Sequence, residues 1–302
     1  MISRPRGYSI YENALSLMNN PSTAQLWPAV LAVVLSLACA HVRPTAQLDS
    51  SNASRWTNGL GMIFLPVPHT EVSFSIYETR VRDFAAFAAT QPTLDGTNWN
   101  HALYHDLVPV SDGPDFPVVN VSWNDATNFC AWLTEAGRKT GEISANEYYR
   151  LPTDAEWSWA VGIGGRESGS TPREMNAKLE NIYPWGTQFP PPHGAGNFAD
   201  EAAFHYFTNW PHIEGYNDGF VTTAPVGSFT PNAAGLYDLA GNAMEWCGDL
   251  YQPGHNQRVL RGGAWINCGP KSLWSSARNH AAPNKYSVAT GFRCVLAVKP
   301  QL

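Results

Sequence analysis

Apolar positions follow three different rhythms along this chain. Residues 26–40 (L-W-P-A-V-L-A-V-V-L-S-L-A-C-A) are almost unbroken apolar sequence, and no charge occurs between Glu12 and Arg43. With Arg4 and Arg6 upstream and Ala38-x-Ala40 at its end, the run predicts a secretory signal. It is of signal-core length and short for a membrane span. Two further readings are an uncleaved N-terminal anchor and a lipoprotein site at Cys39, although Ser36 stands where such a site takes an aliphatic residue. A buried helix is the structural alternative. Residues 41–57 are polar and carry Ser50-Ser51-Asn52-Ala53-Ser54, the composition of a linker. The organisation expected is therefore a leader over 1–40, a linker over 41–57 and a folded domain over 58–302.

Within that domain the second rhythm is strand-like. Residues 61–67 and 72–76 read as early strands, and 258–265 and 291–298 as late ones. The third rhythm is helical. Val81, Phe84, Ala85 and Ala88 make one apolar face behind Thr79 as a cap, and Gln91-Pro92 ends it. Residues 117–123 read as a short strand entering a helix, where Ser122 and Asp125 form a capping box and Ala126, Phe129, Cys130 and Leu133 a buried stripe. Cys130 is thereby expected to be a core thiol. Thr153-x-x-Glu156 starts another helix with Trp157, Ala160 and Val161 inward, and Gly162 and Gly164-Gly165 stop it. Beyond this point no helical period of useful length remains. The pattern predicts a single α+β domain with few helices and no repeat of solenoid period.

Composition explains how so irregular a chain can hold a shape. Charged residues are only 15%, whereas aromatics reach 12% with 12 Trp, which suits loops pinned by aromatic packing and argues against disorder. The net charge of −6 and the lack of a basic cluster exclude a nucleic-acid footprint. No Cys-x-x-Cys occurs among the five cysteines, so a structural zinc site is not expected. His101 and His105 have i, i+4 spacing, but the Pro and Gly around them point to surface loop histidines.

One stretch concentrates candidate chemistry. Residues 235–249 (G-L-Y-D-L-A-G-N-A-M-E-W-C-G-D) show neither helical nor strand period, yet combine glycines, aromatics and carboxylates. Such a loop is either a tight turn with Asp238 bonded to its own backbone and Glu245 paired to an arginine, or the seat of a hard cation.

The motifs in order are Val121-Ser122-Trp123-Asn124-Asp125-Ala126, Arg150-Leu151-Pro152-Thr153-Asp154-Ala155-Glu156-Trp157, Tyr183-Pro184-Trp185-Gly186, Gly235-Leu236-Tyr237-Asp238, Gly241-Asn242-Ala243-Met244-Glu245-Trp246, Arg261-Gly262-Gly263 and Gly291-Phe292-Arg293-Cys294. Together they resemble the formylglycine-generating enzyme family, also called the sulfatase-modifying factor family, over essentially the whole chain after the leader. The resemblance implies a variant of the C-type-lectin-like fold. It also implies two calcium sites. The first would use the side chains of Asn197 and Asp218 with the carbonyls of Phe198 and Phe220; the second, the carboxylates of Asp238 and Glu245 with the carbonyls of Gly241 and Ala243. Asn217-Asp218-Gly219 could instead be a simple hairpin turn.

Active members, the resemblance implies, oxidise a cysteine in a sulfatase's C-x-P-x-R segment with molecular oxygen and copper held by two thiolates. Soft thiolates select Cu(I). The pair is incomplete here, since Asn267 and Ser272 stand at the two positions and Cys268 is displaced by one residue. In extended backbone such a slip turns a side chain to the opposite face. Ala264 and Met244 also replace a usual serine and a usual tryptophan of the peptide groove. Val161 stands where a cysteine able to bridge Cys294 is expected, and the pairing of the remaining cysteines is open. The related iron-dependent sulfoxide synthases carry a helical domain with a histidine triad, which has no counterpart here.

Two functions remain in view. One is a calcium-stabilised module that binds a protein, peptide or glycan without chemistry. The other is an oxidoreductase acting on a thiol or peptide with Cys268 in its site. Either would be exported: periplasmic, extracellular, or held on the outer face of a membrane by its leader.

Overall fold

The computed structural model describes residues 55–91, 99–105 and 107–299, all within one compact unit, Gln47–Leu302. The expected leader and residues 41–54 of the linker lie outside the described residues. In chain order the elements are β1 (Trp56–Thr57), β2 (Ile63–Pro66), β3 (Val72–Ser75), α1 (Val81–Ala88), β4 (Leu103–Tyr104), β5 (Val108–Pro109), α2 (Trp123–Lys139) and β6 (Glu147–Arg150). They continue with α3 (Asp154–Ala160), α4 (Pro172–Met175), α5 (Glu201–Tyr206), β7 (Met244–Leu250), β8 (Arg258–Arg261), a 3-10 turn (Pro270–Leu273), β9 (Asn279–Ala281), β10 (Thr290–Gly291) and β11 (Val295–Val298). This is the α+β class with few helices. None of the described helices is long and apolar enough to cross a membrane.

Two main sheets organise these elements. The first has the order β1-β2-β3-β11-β6 and the second β10-β7-β8-β9. β11, the last strand in the chain, is interior to the first sheet: Val295 lies between Phe74 and Arg150, and Val295, Leu296 and Ala297 are all buried. Residues 291–298, expected as one strand, are two. Gly291 pairs in parallel with Glu245 of β7, and after Phe292, Arg293 and Cys294 the chain joins the other sheet. The crossing residue is Arg293.

The helix starts follow the local chemistry closely. Ser122 Oγ accepts from Asp125 N at 3.1 Å while the Asp125 carboxylate returns a bond to Ser122 N at 2.9 Å, so Asp closes this box as Glu would. Thr153 and Glu156 do the same at α3, and Arg150 grips Glu156 through two bonds of 2.6 and 2.7 Å. Gly164 follows because a Cβ there would sit 2.0 Å from the Trp159 ring. α1 differs from expectation by one residue. Its N-cap is Arg80, whose N–H bonds the Asp83 carboxylate at 3.1 Å. Thr79 is unavailable because its backbone is already spent, donating to Phe292 O and accepting from Val118 N, both at 2.8 Å.

Two further differences have simple causes. α4 and α5 are only 4 and 6 residues long, too short to show a period, and each rests on a side-chain cap, Thr171 and Asp200. β7 occupies the second half of the stretch around Asp238. Its Glu245, Trp246 and Cys247 are consecutive and all buried, so no alternation marks the strand. Cys130 lies in the core as expected, in a cluster with Phe84, Phe129, Phe292 and Cys294.

Candidate metal centres

The first candidate centre lies where the segment around Asn197 meets the loop around Asp218. Asn197 is fully buried, and its amide nitrogen donates to Thr222 O at 2.7 Å and to Asn242 Oδ1 at 3.3 Å. Its Oδ1 is buried with no hydrogen-bond partner. Asp218 accepts from Phe198 N and Phe220 N, both at 2.8 Å, and its own N–H donates to Asp200 Oδ2. Burial pushes the Asp218 carboxyl up to about 8, and the neighbouring Asp200 carboxylate adds to the shift. Burial likewise raises Asp200, against the pull of its backbone donors. Neither carboxylate has an ion-paired Lys or Arg among the described residues.

The second centre surrounds Asp238, which adopts a positive φ of 58°. Its Oδ2 accepts from Gly227 N at 2.7 Å, while Oδ1 is buried with no partner. Burial lifts this carboxyl to about 6; the Gly227 N–H and Arg293 oppose the rise and Glu245 reinforces it. Glu245 is fully buried and fully engaged. Arg293 donates to both of its oxygens at 2.6 to 2.9 Å, and Trp157 Nε1 donates at 3.0 Å. Gly241 and Ala243, which fall between Asp238 and Glu245 in the sequence, are buried, and Ala243 N donates to Glu78 Oε1 at 2.9 Å.

Glu78 is the residue that sequence reasoning missed. It is 1% exposed, accepts from Asn242 Nδ2 at 2.6 Å, and is pushed well above the carboxylate range by burial and then by Asp238 and Glu245. A lone Glu between a strand and a helix gives no sign of burial. Only the tertiary contact with Asn242 reveals it.

These observations test whether a hard cation fits. Each centre holds one buried, unpartnered side-chain oxygen, at Asn197 and at Asp238. Each also carries excess negative charge when ionised: Asp200 with Asp218 in one, and Glu78, Asp238 and Glu245 against the single Arg293 in the other. A divalent cation would neutralise either set, and buried carboxylates without such a partner are costly. Among the described residues no three His, Cys, Asp or Glu side chains form a ready metal cage. A cation would therefore also draw on Asn and carbonyl oxygens, a donor set suited to calcium.

The two centres are stitched together. Asn197 and Gly241 form an isolated parallel bridge, and Asn242 N donates to Asn197 O at 2.9 Å. The approach is so close that a Cβ on Gly241 would lie 2.0 Å from Asn197 O, with φ already at +75°. Gly241→Ala is expected to destabilise the domain by about 2 kcal/mol or more, measured by urea denaturation.

The thiol position has a different character. Asn267 Oδ1 accepts from Ala264 N at 2.8 Å, and Ser272 Oγ donates to Gly269 O at 2.6 Å, so both side chains serve the turn. Cys268 is partly buried against the cluster containing Tyr183, Phe198, Tyr216 and Leu273. Burial pushes its thiol up, away from the thiolate that copper needs. Copper does not fit these residues. Ala264 is fully buried and Met244 half-buried beside it. His101 and His105 are both exposed, the latter with its ring tilted against Tyr104 at 4.1 Å.

Comparison with known proteins gives this geometry its context. Residues 65–298 match the model of the sulfatase-modifying factor enzyme 1-like domain. The formylglycine-generating enzyme of Bos taurus is 32% identical over 221 residues, covering 66% of this chain and 48% of that protein. The inactive C-alpha-formylglycine-generating enzyme 2 of Mus musculus is 36% identical over 188 residues, covering 60% and 49%. The chain thus spans about half the length of the curated relatives it matches. Among solved structures, PvdO from Pseudomonas aeruginosa aligns with a TM-score of 0.52 at 21% identity, over 82% of this chain and 98% of that one, which shows a shared fold. The match over residues 65–298, most of its length, shows that the chain belongs to the sulfatase-modifying factor family of formylglycine-generating-enzyme-like domains.

Proposed function

We propose that this chain is an exported, calcium-stabilised member of the family that works by binding an extended peptide, without copper-dependent thiol oxidation. The observation that carries this reading is the state of positions 267 and 272. Asn267 and Ser272 stand there and are bonded into their own turn, while the nearby Cys268 is partly buried against a cluster of apolar and aromatic side chains that pushes its thiol up. A relative named as inactive is among the similar proteins, which is compatible with a family domain kept for a purpose other than the oxidation.

A peptide is favoured by the surface beside this turn. Trp265 packs edge-on to Tyr104 at 5.3 Å and lies 5.7 Å from Trp210, with Phe207 completing the cluster. Trp265 itself is buried, and at the edge of the cluster Leu107, whose N–H donates to Tyr104 O at 3.2 Å, is 81% exposed and Tyr206, 5.0 Å from Phe207, 60% exposed, an apolar rim suited to alternate side chains of an extended segment. The apolar run over 26–40 supports export.

Elemental analysis of the purified full chain is expected to find about two calcium ions per chain, and no copper retained after loading and dialysis. Chelation should lower the melting temperature by several degrees. Asn197→Ala and Asp238→Ala should each remove about one calcium and shrink that shift. A fluorescent peptide containing Cys-x-Pro-x-Arg should bind, with no oxygen consumed. Copper-dependent oxygen uptake that disappears in Cys268→Ser would overturn the proposal in favour of an oxidoreductase built on Cys268.

A further inference from the structure

The seam between helix α2 and the edge of the first sheet holds space that the protein leaves unfilled. β6 is the outer strand in the order β1-β2-β3-β11-β6, so one side of it has no strand to pair with. Side chains of α2 cover that side instead. Thr134 Oγ1 accepts from Tyr149 N and Arg138 Nη2 donates to Glu147 O, both at 2.8 Å. Along this face the helix offers only small residues, Thr127, Cys130, Ala131 and Thr134, at i, i+3, i+4 and i+7. They leave a cavity of about 400 Å³, closed on the other side by Tyr148, Tyr149, Leu151 and Lys299. Protein interiors are normally packed tightly, and cavities of about 300–1,000 Å³ are the size that holds small ligands.

Floor and mouth differ in chemistry. Cys130, Thr134, Tyr149 and Leu151 are buried, and the Thr134 hydroxyl is spent on Cys130 O and Tyr149 N, so the floor is mainly carbon and ring surface. Ala131, Arg138 and Lys299 are exposed at the mouth. Neither Arg138 nor Lys299 has an ion-paired carboxylate among the described residues. The charges around them are already engaged. Glu156 takes Arg150 through two bonds, Glu135 takes Lys139 at 3.2 Å, and the Glu147 carboxylate accepts from Ser144 N and Oγ. Two cations therefore stand uncompensated over an apolar floor.

We infer that this cavity binds a small amphipathic anion, a medium-chain monocarboxylate. Its tail leaves water for the floor, and its carboxylate stays at the mouth, where Arg138 and Lys299 donate charge-assisted hydrogen bonds. The site is separate from the aromatic cluster around Tyr104 and Trp210 and from both candidate metal centres. Head and tail have to act together. The chain as a whole carries −6, which works against inorganic anions at a distance, so a head group without a tail gains little here.

The test titrates the purified full chain with sodium hexanoate, sodium octanoate, octan-1-ol and inorganic phosphate in a calorimeter. Octanoate is expected to bind, with each methylene added from hexanoate upward tightening binding about fourfold. Octan-1-ol should bind roughly tenfold more weakly than octanoate, phosphate should give no heat, and added salt should weaken octanoate alone. Replacing the two exposed cations together, Arg138→Gln with Lys299→Gln, should weaken octanoate about tenfold and leave octan-1-ol unmoved. Ala131→Trp, at an exposed helical position, should block both by filling the mouth. A diazirine analogue of octanoate, photolysed on the protein and mapped by mass spectrometry, should label the peptides that carry Ala131 and Tyr148. Equal binding of octanoate and octan-1-ol, displacement of octanoate by phosphate, labelling confined to the cluster around Tyr104 and Trp210, or no binding of octanoate at all would overturn the assignment. The ligand series and the label map need no variant, so the outcome stands even if one of the variants fails to fold.

Discussion

Arg293→Met is expected to cost about 3–5 kcal/mol of folding stability, a large share of the roughly 5–15 kcal/mol that holds a typical domain folded. Arg293 is fully buried and donates to both oxygens of Glu245, to Tyr237 O at 2.8 Å, and to Ser75 O and Ile76 O at 3.3 Å. Removing it leaves Glu78, Asp238 and Glu245 facing one another without a guanidinium among them, and takes a donor from the carbonyls of Ser75, Ile76 and Tyr237. Arg293→Lys keeps the charge and loses the two-pronged grip, so it should recover only part of the loss. Urea denaturation of the three proteins in calcium and in chelator checks the order. If Arg293→Met were as stable as the parent, the buried carboxylates could not be held by this guanidinium.

The second large effect is expected at Asp154. Its carboxylate is 3% exposed and accepts from Arg261 at 2.5 Å and from Arg278 at 2.9 to 3.1 Å, while Glu167 takes the far side of Arg278. Asp154→Ala leaves Arg261 buried over the Trp157 ring with Ser158 and carbonyl oxygens as its remaining partners. A loss of about 3–4 kcal/mol is expected. The same group sets the acid limit. Burial works to raise the Asp154 pKa, but Arg261 and Arg278 outweigh it and hold the carboxyl below its usual value. A depressed folded pKa means the unfolded chain binds the proton more readily, so the contribution is complete above the unfolded value near 4 and lost as pH falls through and below it. Melting temperatures from pH 6 down to pH 3 should therefore fall more steeply in the parent than in Asp154→Ala.

How much of this was legible depended on whether a feature was local. The capping boxes at Ser122 and Thr153 could be read because partner and cap lie three residues apart. The apolar stripe of α2 could be read because Ala126, Phe129, Cys130 and Leu133 repeat at helical spacing. β7 could not, because burial on both faces erases alternation and places Glu245 among apolar neighbours. The same stretch shows the limit for chemistry. Its motif order identified the family and singled out Asp238 and Glu245, yet both oxygens of Glu245 turned out to be taken by Arg293 and Trp157, and a buried partner of the loop, Glu78, comes from 160 positions or more away in the chain. Long-range pairing of charges leaves no local trace.

The passage of residues 290–298 from one sheet to the other has a dynamic meaning. Strands in separate sheets can ordinarily open one at a time, each at its own free energy. Here a single short segment is hydrogen-bonded to β7 at one end and to β3 and β6 at the other, with Arg293 clamped between them. Neither sheet can fray along this edge without pulling on its neighbour. In amide exchange the central strands of both sheets should therefore behave as one cooperative unit, opening only with the whole domain.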